Sequence, residues 1–481
     1  MTLIQIAVVL FVFITVLIGL WSFFQIKGKA LNYFKAGAAM PAWVIGITLC
    51  AQAFDANGSM GSAAMSYESG FWSGASIPLG LGLCLFITGL FFAKPLHKMN
   101  LMTLPDFYNR RYDKRTETAA SISMLFSNII LIAGNLAGLG LLFSLIFNIH
   151  YLITLILISV MILLYATTGG FIASISTSVF QVFIFIIGIL LSFFWLTAEY
   201  GWANLMVDVP ATHKNFDGLF NLKSGALVNW AAIISMALGD IVAIDFIQRV
   251  ISSKSPRDAQ RGCYLGGVLT IMVGLPAVLL GLYAFNLNKI ANKDLLVDMA
   301  LNNVPEMVGI LLILGIIGAS MSTAAGVVLD LSNIITRNLV QKYSTSINSN
   351  KKILNLSRLI AIPTMILATT VAYLHPKPGI LLILAFDIVL AGCFVPLFLG
   401  IYWKKANSIA AITSIICGAL LRIILFLLVP ESLSGLDTIL TPILICILFI
   451  VISNNTQNIS KPKFEIINYV PDEEELIRGA Y

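Results

Sequence analysis

Long apolar runs separated by short polar connections fill the chain, and their lengths predict helical spans near 3–24, 40–68, 72–95, 118–147, 150–169, 176–198, 226–250, 262–287, 306–336, 355–374, 378–402, 407–429 and 436–453. Each is long enough to cross a hydrocarbon layer about 30 Å thick at roughly 1.5 Å per residue. Two of them interrupt their own pattern. Pro41 to Tyr67 carries Gln52, Asp55, Asn57, Gly58 and Ser59 at its middle, and Asn229 to Val250 carries Gly239 and Asp240 at its centre with Asp245 beyond. Backbone freed from a helix at membrane depth survives only where it lines a cavity or is buried in protein, so both segments are expected to be discontinuous helices beside a binding site. They lie five spans apart, as the opening helices of two inverted five-helix repeats would. The expected fold class is all-α: a polytopic membrane protein of 13 transmembrane helices. Residues 1–30 would hold an extra helix, 40–198 and 226–402 the two repeats, 407–453 two further helices, and 454–481 a polar cytoplasmic tail.

Composition sharpens this picture. Of 481 residues, 58% are hydrophobic and 11% charged, where a soluble chain carries about a quarter charged. The net charge of +6 is no nucleic-acid signal, because the 29 Lys and Arg lie mostly in short connections, where they set orientation. With the N-terminus outside, the base-rich connections 25–39, 96–117, 251–261, 337–354 and 403–406 and the tail fall on the cytoplasmic side of a cell membrane. Leu3 to Phe24 has no basic segment before it and no cleavage pattern after it, so it reads as a retained span. The six cysteines lie within or at the ends of apolar stretches and read as small packing residues with no disulfide expected. The connections 199–225 and 288–305 have room for short surface helices.

A carboxylate in mid-membrane persists only with a partner or a wet cavity, which makes Asp55 the first candidate for a cation site. In the ninth span Ser322 and Thr323 offer adjacent hydroxyl oxygens; facing the freed carbonyls of a broken helix, they would complete an oxygen cage for a hard monovalent cation. Asp330 lies seven and eight residues further along, close to the same helical face, on a possible ion path. Asp240, Asp245 and Asp387 bring the carboxylates at or near membrane depth to five, against Arg422 as intramembrane base; Arg249 reads as a helix-end residue. Some of these acids must be protonated, water-facing or matched by bound cations. Enzymatic chemistry has little to stand on. His97, His150, His213 and His375 lie in connections or near helix ends without metal-ligand spacing, so no transition metal is expected, and neither a phosphate loop nor a nucleophile elbow is present.

Six ordered motifs resemble the sodium:solute symporters, a family with the leucine-transporter-like fold: NYFKAG (Asn32 to Gly37), TLPDFYNRRYDKR (Thr103 to Arg115), YATTGG (Tyr165 to Gly170), QRVISSKSPRDAQRG (Gln248 to Gly262), SMSTAA (Ser320 to Ala325) and PLFLGIYWKKAN (Pro396 to Asn407). The resemblance covers roughly residues 30 to 420. It implies a conserved sodium site at Ala51, Phe54, Ala319, Ser322 and Thr323. For Asp55 it implies either a role in sodium binding, as in proline-transporter-type members, or one in amine binding, as in monoamine carriers of the wider fold class. A second sodium site found in some members needs Thr-Asp-x-x-Gln in the fifth core helix and two further hydroxyls. Here the stretch reads Thr177-Ser178-Val179-Phe180-Gln181, and the later positions are Ala325 and Gly326. One sodium site is therefore expected.

Gln52, Asp55, Asn57, Gly58, Asn135, Trp230, Asp240 and Asp387 are candidate solute-lining residues. An acid-rich, base-poor cavity suits an amine-bearing solute such as an amino acid, betaine or polyamine, more than a monocarboxylate or a sugar. The expected partners are a small-molecule solute, Na+ and membrane lipid, with no nucleic acid and with the monomer sufficient for function. A proton-coupled carrier, in which Asp55, Asp330 or Asp387 titrates in place of bound sodium, and a channel or sensor are the rival classes.

Overall fold

The computed structural model describes residues 2–26, 39–287, 295–343 and 349–465. The motif at 32–37 and the acidic run Asp472 to Glu475 lie outside the described residues. Helices account for nearly all of the described chain, and no strand occurs among the described residues. In chain order they are α1 (Leu3–Ile26), α2 (Ala42–Ala53), α3 (Ala56–Ser69), α4 (Phe71–Lys98), α5 (Pro105–Arg111), α6 (Lys114–Phe147), α7 (Tyr151–Tyr200), α8 (Ala226–Val242), α9 (Ile244–Ile251), α10 (Pro256–Leu287), α11 (Leu295–Asn302), α12 (Glu306–Val340), α13 (Asn350–Leu374), α14 (Pro378–Gly392), α15 (Phe394–Tyr402), α16 (Ser408–Leu428) and α17 (Leu436–Asn455).

Among the described residues eight helices are long and apolar enough to cross a membrane, or ten if each bent pair forms one span. The bent pairs are α8 with α9, at 51°, and α14 with α15, at 48°. Shorter apolar helices run over Leu3–Gly19, Ala42–Ala53 and Tyr151–Thr167. The two spans expected at 150–169 and 176–198 are limbs of α7, which folds at Gly170 with φ 59° and ψ −156°, a conformation open to glycine and strained for other residues. The connection at 199–225 carries the short helices Trp202–Leu205, Ala211–Lys214 and Asp217–Phe220. In the connection at 288–305, α11 buries Leu296, Val297 and Met299, so it packs into the body instead of lying on its surface.

Two groups of helices face each other. In one, α10 packs along α2, α3 and α4; in the other, α12 packs along both limbs of α7, and α6 lies against α14. With lipid tails as apolar as the side chains, such helices associate through close packing. Glycines make the approach: a Cβ on Gly281 of α10 would sit 2.2 Å from the Ala63 carbonyl of α3, and one on Gly74 of α4 would sit 2.4 Å from the Ser62 carbonyl. At one end of the body, Asn338 donates to Asp106 Oδ1 at 2.9 Å and to Glu117 Oε1 at 2.6 Å, while Lys342 pairs with Glu117 Oε2 at 2.6 Å. That network ties the end of α12 to α5 and α6.

Candidate functional site

The helix expected over 40–68 breaks between α2 and α3. Phe54 (φ −130°, ψ 76°) and Asp55 (φ −100°, ψ −153°) leave the helical region, so the carbonyls of α2 beyond Cys50, which still accepts from Phe54 N at 2.9 Å, lose their usual partners. Asp55 then starts a new helix. Its Oδ1 accepts from Gly58 N at 3.2 Å and its backbone carbonyl accepts from Ser59 N at 2.8 Å, so a carboxylate caps the positive end of α3. The neighbouring orphan donor, Ala56 N, is met from across the body by Ser320 Oγ of α12 at 2.9 Å.

One turn along α12 the hydroxyl pair faces the break. Thr323 Oγ1 donates to Ala51 O at 3.3 Å and lies 3.2 Å from Ala319 O. Ser322 Oγ is hydrogen bonded to Ser178 Oγ of α7, the residue at the aspartate position of the second-site pattern that the family resemblance implies. Ala51, Phe54, Ala319, Ser322 and Thr323 are all wholly buried. A carbonyl at the break and a hydroxyl on the facing helix thus meet in one buried place, and oxygens of these kinds suit an alkali cation.

Around the break lies a set of underused polar groups. Asn135 and Thr323 stand next to the Asp55 carboxyl, yet Asp55 Oδ2 has no hydrogen-bond partner among the described residues. Both amide atoms of Gln52 and the side-chain oxygens of Asn57 and Asn135 are unpartnered as well. Asn57 Nδ2 and Asn135 Nδ2 both reach Leu131 O, at 3.2 and 3.4 Å. Gly134 makes this approach workable, because a Cβ there would lie 2.3 Å from Asn57 Oδ1. Its spacing in α6 gives no hint of that role. A buried polar atom left without a partner is unfavourable unless something else occupies the space.

The second interrupted segment is also bent, at Ala243 (φ −69°, ψ 130°), between α8 and α9. Asp240 precedes the bend, fully buried, with neither carboxylate oxygen hydrogen bonded; Cys84 of α4 and the charges of Asp245 and Asp55 are its neighbours. Asp330 lies on α12 beside Arg249 and Asp245.

Three expectations change. Trp230 is 43% exposed and its Nε1 donates to Leu219 O at 3.0 Å, so it is turned outward and anchors the 199–225 connection instead of meeting the break. Asp387 is paired with Arg422 at 2.5 Å, Arg422 also pairs with Asp437 at 2.6 Å, and Thr438 joins them. That ties α14 to α16 and α17 and turns Asp387 away from the break. Arg249, read as a helix-end residue, is wholly buried, because the bend at Ala243 carries α9 into the body. Arg422 is therefore not the sole arginine packed against the membrane-length helices. Of the histidines, His97 Nε2 bonds Ser253 O at 2.8 Å, and His213, in the 199–225 connection, packs on Phe285, where burial holds its imidazole below the usual range.

An all-helical body with eight to ten membrane-length helices among the described residues, one helix broken at Phe54 and Asp55 and two others bent, has the build of a membrane transporter. The family model for the sodium:solute symporter family matches residues 33–418. The chain belongs to that family; it is a transporter and not an enzyme, and sodium is the family's coupling ion. Among curated relatives, it is 24% identical to a sodium/glucose cotransporter of Vibrio parahaemolyticus, over 94% of this chain and 90% of that one. It is 26% identical to the human high affinity choline transporter 1, over 87% and 76%, and 26% identical to a sodium/proline symporter of Staphylococcus aureus, over 87% and 85%. Among solved structures, a Na+-coupled sialic acid symporter in a substrate-bound outward-open state matches with a TM-score of 0.73 at 18% identity, covering 95% of this chain and 98% of that chain. At that identity the likeness is one of fold.

Proposed function

We propose that this symporter couples the inward movement of one sodium ion to that of a small amine-bearing solute, such as a proline-like amino acid, a betaine or a polyamine. Sodium is held by the carbonyls of Ala51, Phe54 and Ala319 and the hydroxyls of Ser322 and Thr323. The observation that carries this reading is the reach of Thr323 Oγ1 to Ala51 O at 3.3 Å across the break. Sodium there links α2 to α12 and favours the state open to solute; solute binding then lets the α2, α3, α4 and α10 group rock against the α6, α7 and α12 group. Gln52, Asp55, Asn57, Gly58, Asn135 and Asp240 form the solute site. Their unpaired acids and amides, with no base among them, are what favours an amine.

The same reading takes the fold as thirteen spans in two inverted repeats, with the N-terminus outside, the C-terminus in the cytoplasm and the monomer as the working unit in a cell membrane. One ion is energetically adequate: a potential of about 100 mV contributes about 2.3 kcal/mol per charge and a tenfold sodium gradient about 1.4 kcal/mol.

A thermal-shift screen of amino acids, betaines, polyamines, sugars and carboxylates, each with and without sodium, identifies the solute. Uptake into proteoliposomes at fixed pH, with sodium present and then replaced, tests the coupling. Accumulation that requires sodium is expected. Accumulation that persists without sodium and follows a proton gradient would overturn the reading in favour of a proton-coupled carrier, and a solute hit confined to sugars or carboxylates would overturn the amine assignment.

A further inference from the structure

The face of α12 that holds Thr323 does not become apolar beyond the cage. Gly326, Asp330, Asn333 and Arg337 follow at steps of three and four residues, so they share one helical face, and all are buried. Opposite this stripe stand Arg249 of α9 and Ser174 of α7. A Cβ added at Gly326 would lie 3.2 Å from Arg249 Nη2 and 3.4 Å from Ser174 Oγ, so both groups occupy the space that the glycine leaves open.

The charges in this place do not balance. Asp245 and Asp330 are the charges acting on Arg249, giving two carboxylates against one guanidinium in a fully buried cluster. Asp245 lies in the first turn of α9, where a helix N-terminus helps to hold negative charge. Asp330 is in the interior of α12, with no such help. The hydrogen bonds are also incomplete. Arg249 Nη1 donates to Asp245 O at 3.0 Å, but Arg249 Nε and Nη2, Asp330 Oδ2, Asp245 Oδ1, Ser174 Oγ and both amide atoms of Asn333 have no partner among the described residues. The guanidinium lies over the Phe171 ring at 5.6 Å but is bonded to neither flanking carboxylate, and without close pairing most of its desolvation is not offset. Unpaired oxygens beside one excess negative charge are instead what a small cation uses.

We infer that Asp245, Asp330 and Ser174 form a second cation station, one step beyond the Ala51–Thr323 cage along α12, and that Arg249 is its tethered counter-ion. The inference rests on the sodium-coupled reading above. When sodium leaves the cage it passes to the station, where it meets the two carboxylates while the guanidinium stays on the Asp245 carbonyl. When the ion departs past Asn333, the guanidinium is the one positive charge left beside the carboxylates, and its repulsion discourages return. That charge stands beside the station at rest, so sodium passes through and does not accumulate there.

The test counts radiosodium bound per protomer by the full-length purified protein at saturating sodium. Wild type is expected to hold one ion, R249Q two, R249Q/D330N one again, and R249K, which keeps the tethered charge, one. A single ion on folded R249Q overturns the inference, as does a second ion that survives D330N in the double variant. No sodium on the wild type would instead defeat the sodium-coupled reading itself. Should R249Q fail to fold, D330N alone carries the test in proteoliposomes: radiosodium exchange across the membrane is expected to slow by on the order of tenfold, the scale of one lost charged contact, with cage affinity unchanged. Exchange at the wild-type rate overturns the inference.

Discussion

Two clusters in this body have the same composition, one arginine and two aspartates, and opposite character. Around Arg422 the guanidinium is fully engaged. Nε and Nη2 reach Asp387 Oδ2 at 2.6 and 2.5 Å, Nη1 reaches Asp437 Oδ2 at 2.6 Å, and Asp437 Oδ1 also accepts from Gly435 N at 3.0 Å at the start of α17. The excess charge there rests on a helix N-terminus. Around Arg249 the guanidinium reaches the Asp245 backbone carbonyl but neither carboxylate, and the excess charge rests in the middle of a helix. Closed bonding marks a brace between α14, α16 and α17. Open bonding marks a place where something else has to come and go. Residue type alone does not separate the two; the accounting of donors and acceptors does.

The sharpest way to break the comparison is Arg422→Gln. Two buried carboxylates would lose their partner, a loss of about 3–5 kcal/mol for a buried pair. The expected result is a large fall in melting temperature and folded yield, largely restored when Asp387→Asn and Asp437→Asn are added. A stable Arg422→Gln protein with altered transport would show that this cluster too is a working site. Next in size is Ser322→Ala with Thr323→Ala, expected to abolish sodium stimulation of uptake while the protein remains folded by size-exclusion chromatography. Sodium dependence unchanged in that variant would remove the cage from the mechanism. Asp55→Asn should weaken sodium or solute binding by roughly 10- to 100-fold, the range of a lost charged hydrogen bond, while retaining enough of the cap to keep α3. Titrations of sodium and of solute separate its two roles, and wild-type affinities for both would exclude it. Smallest is Trp230→Phe, which loses one exposed hydrogen bond and should shift stability by no more than about 0.5 kcal/mol and leave uptake unaltered. A clear loss of uptake there would return Trp230 to the solute path.

The break at Phe54 and Asp55 was legible because five polar or flexible residues in an otherwise apolar span have few other physical explanations. The hydroxyl pair was legible only in relation to that break. What escaped was direction. Asp387 and Trp230 sit in spans that were correctly placed, but which way a side chain turns about a helix axis depends on neighbours many residues away: Arg422 for the first, the Leu219 carbonyl for the second. Burial escaped at Arg249, which ends an apolar run and so resembles an interface residue; after the 51° bend at Ala243 the whole of α9 is packed within the protein. The departure at Ser178 was visible as a missing acid, whereas its hydrogen bond to Ser322 depends on how α7 and α12 meet.

One contact between the two helix groups has no side chain in it. Gly61 of α3 and Gly379 of α14 meet backbone to backbone, and a Cβ on Gly61 would fall 2.6 Å from the Gly379 Cα. In the rocking proposed above this seam would have to open and reclose, and with nothing protruding on either side the closed form needs no rotamer to be set aside. A single methyl at Gly61 would act as a doorstop, wedging that side ajar and tilting the carrier's resting balance without touching ion or solute.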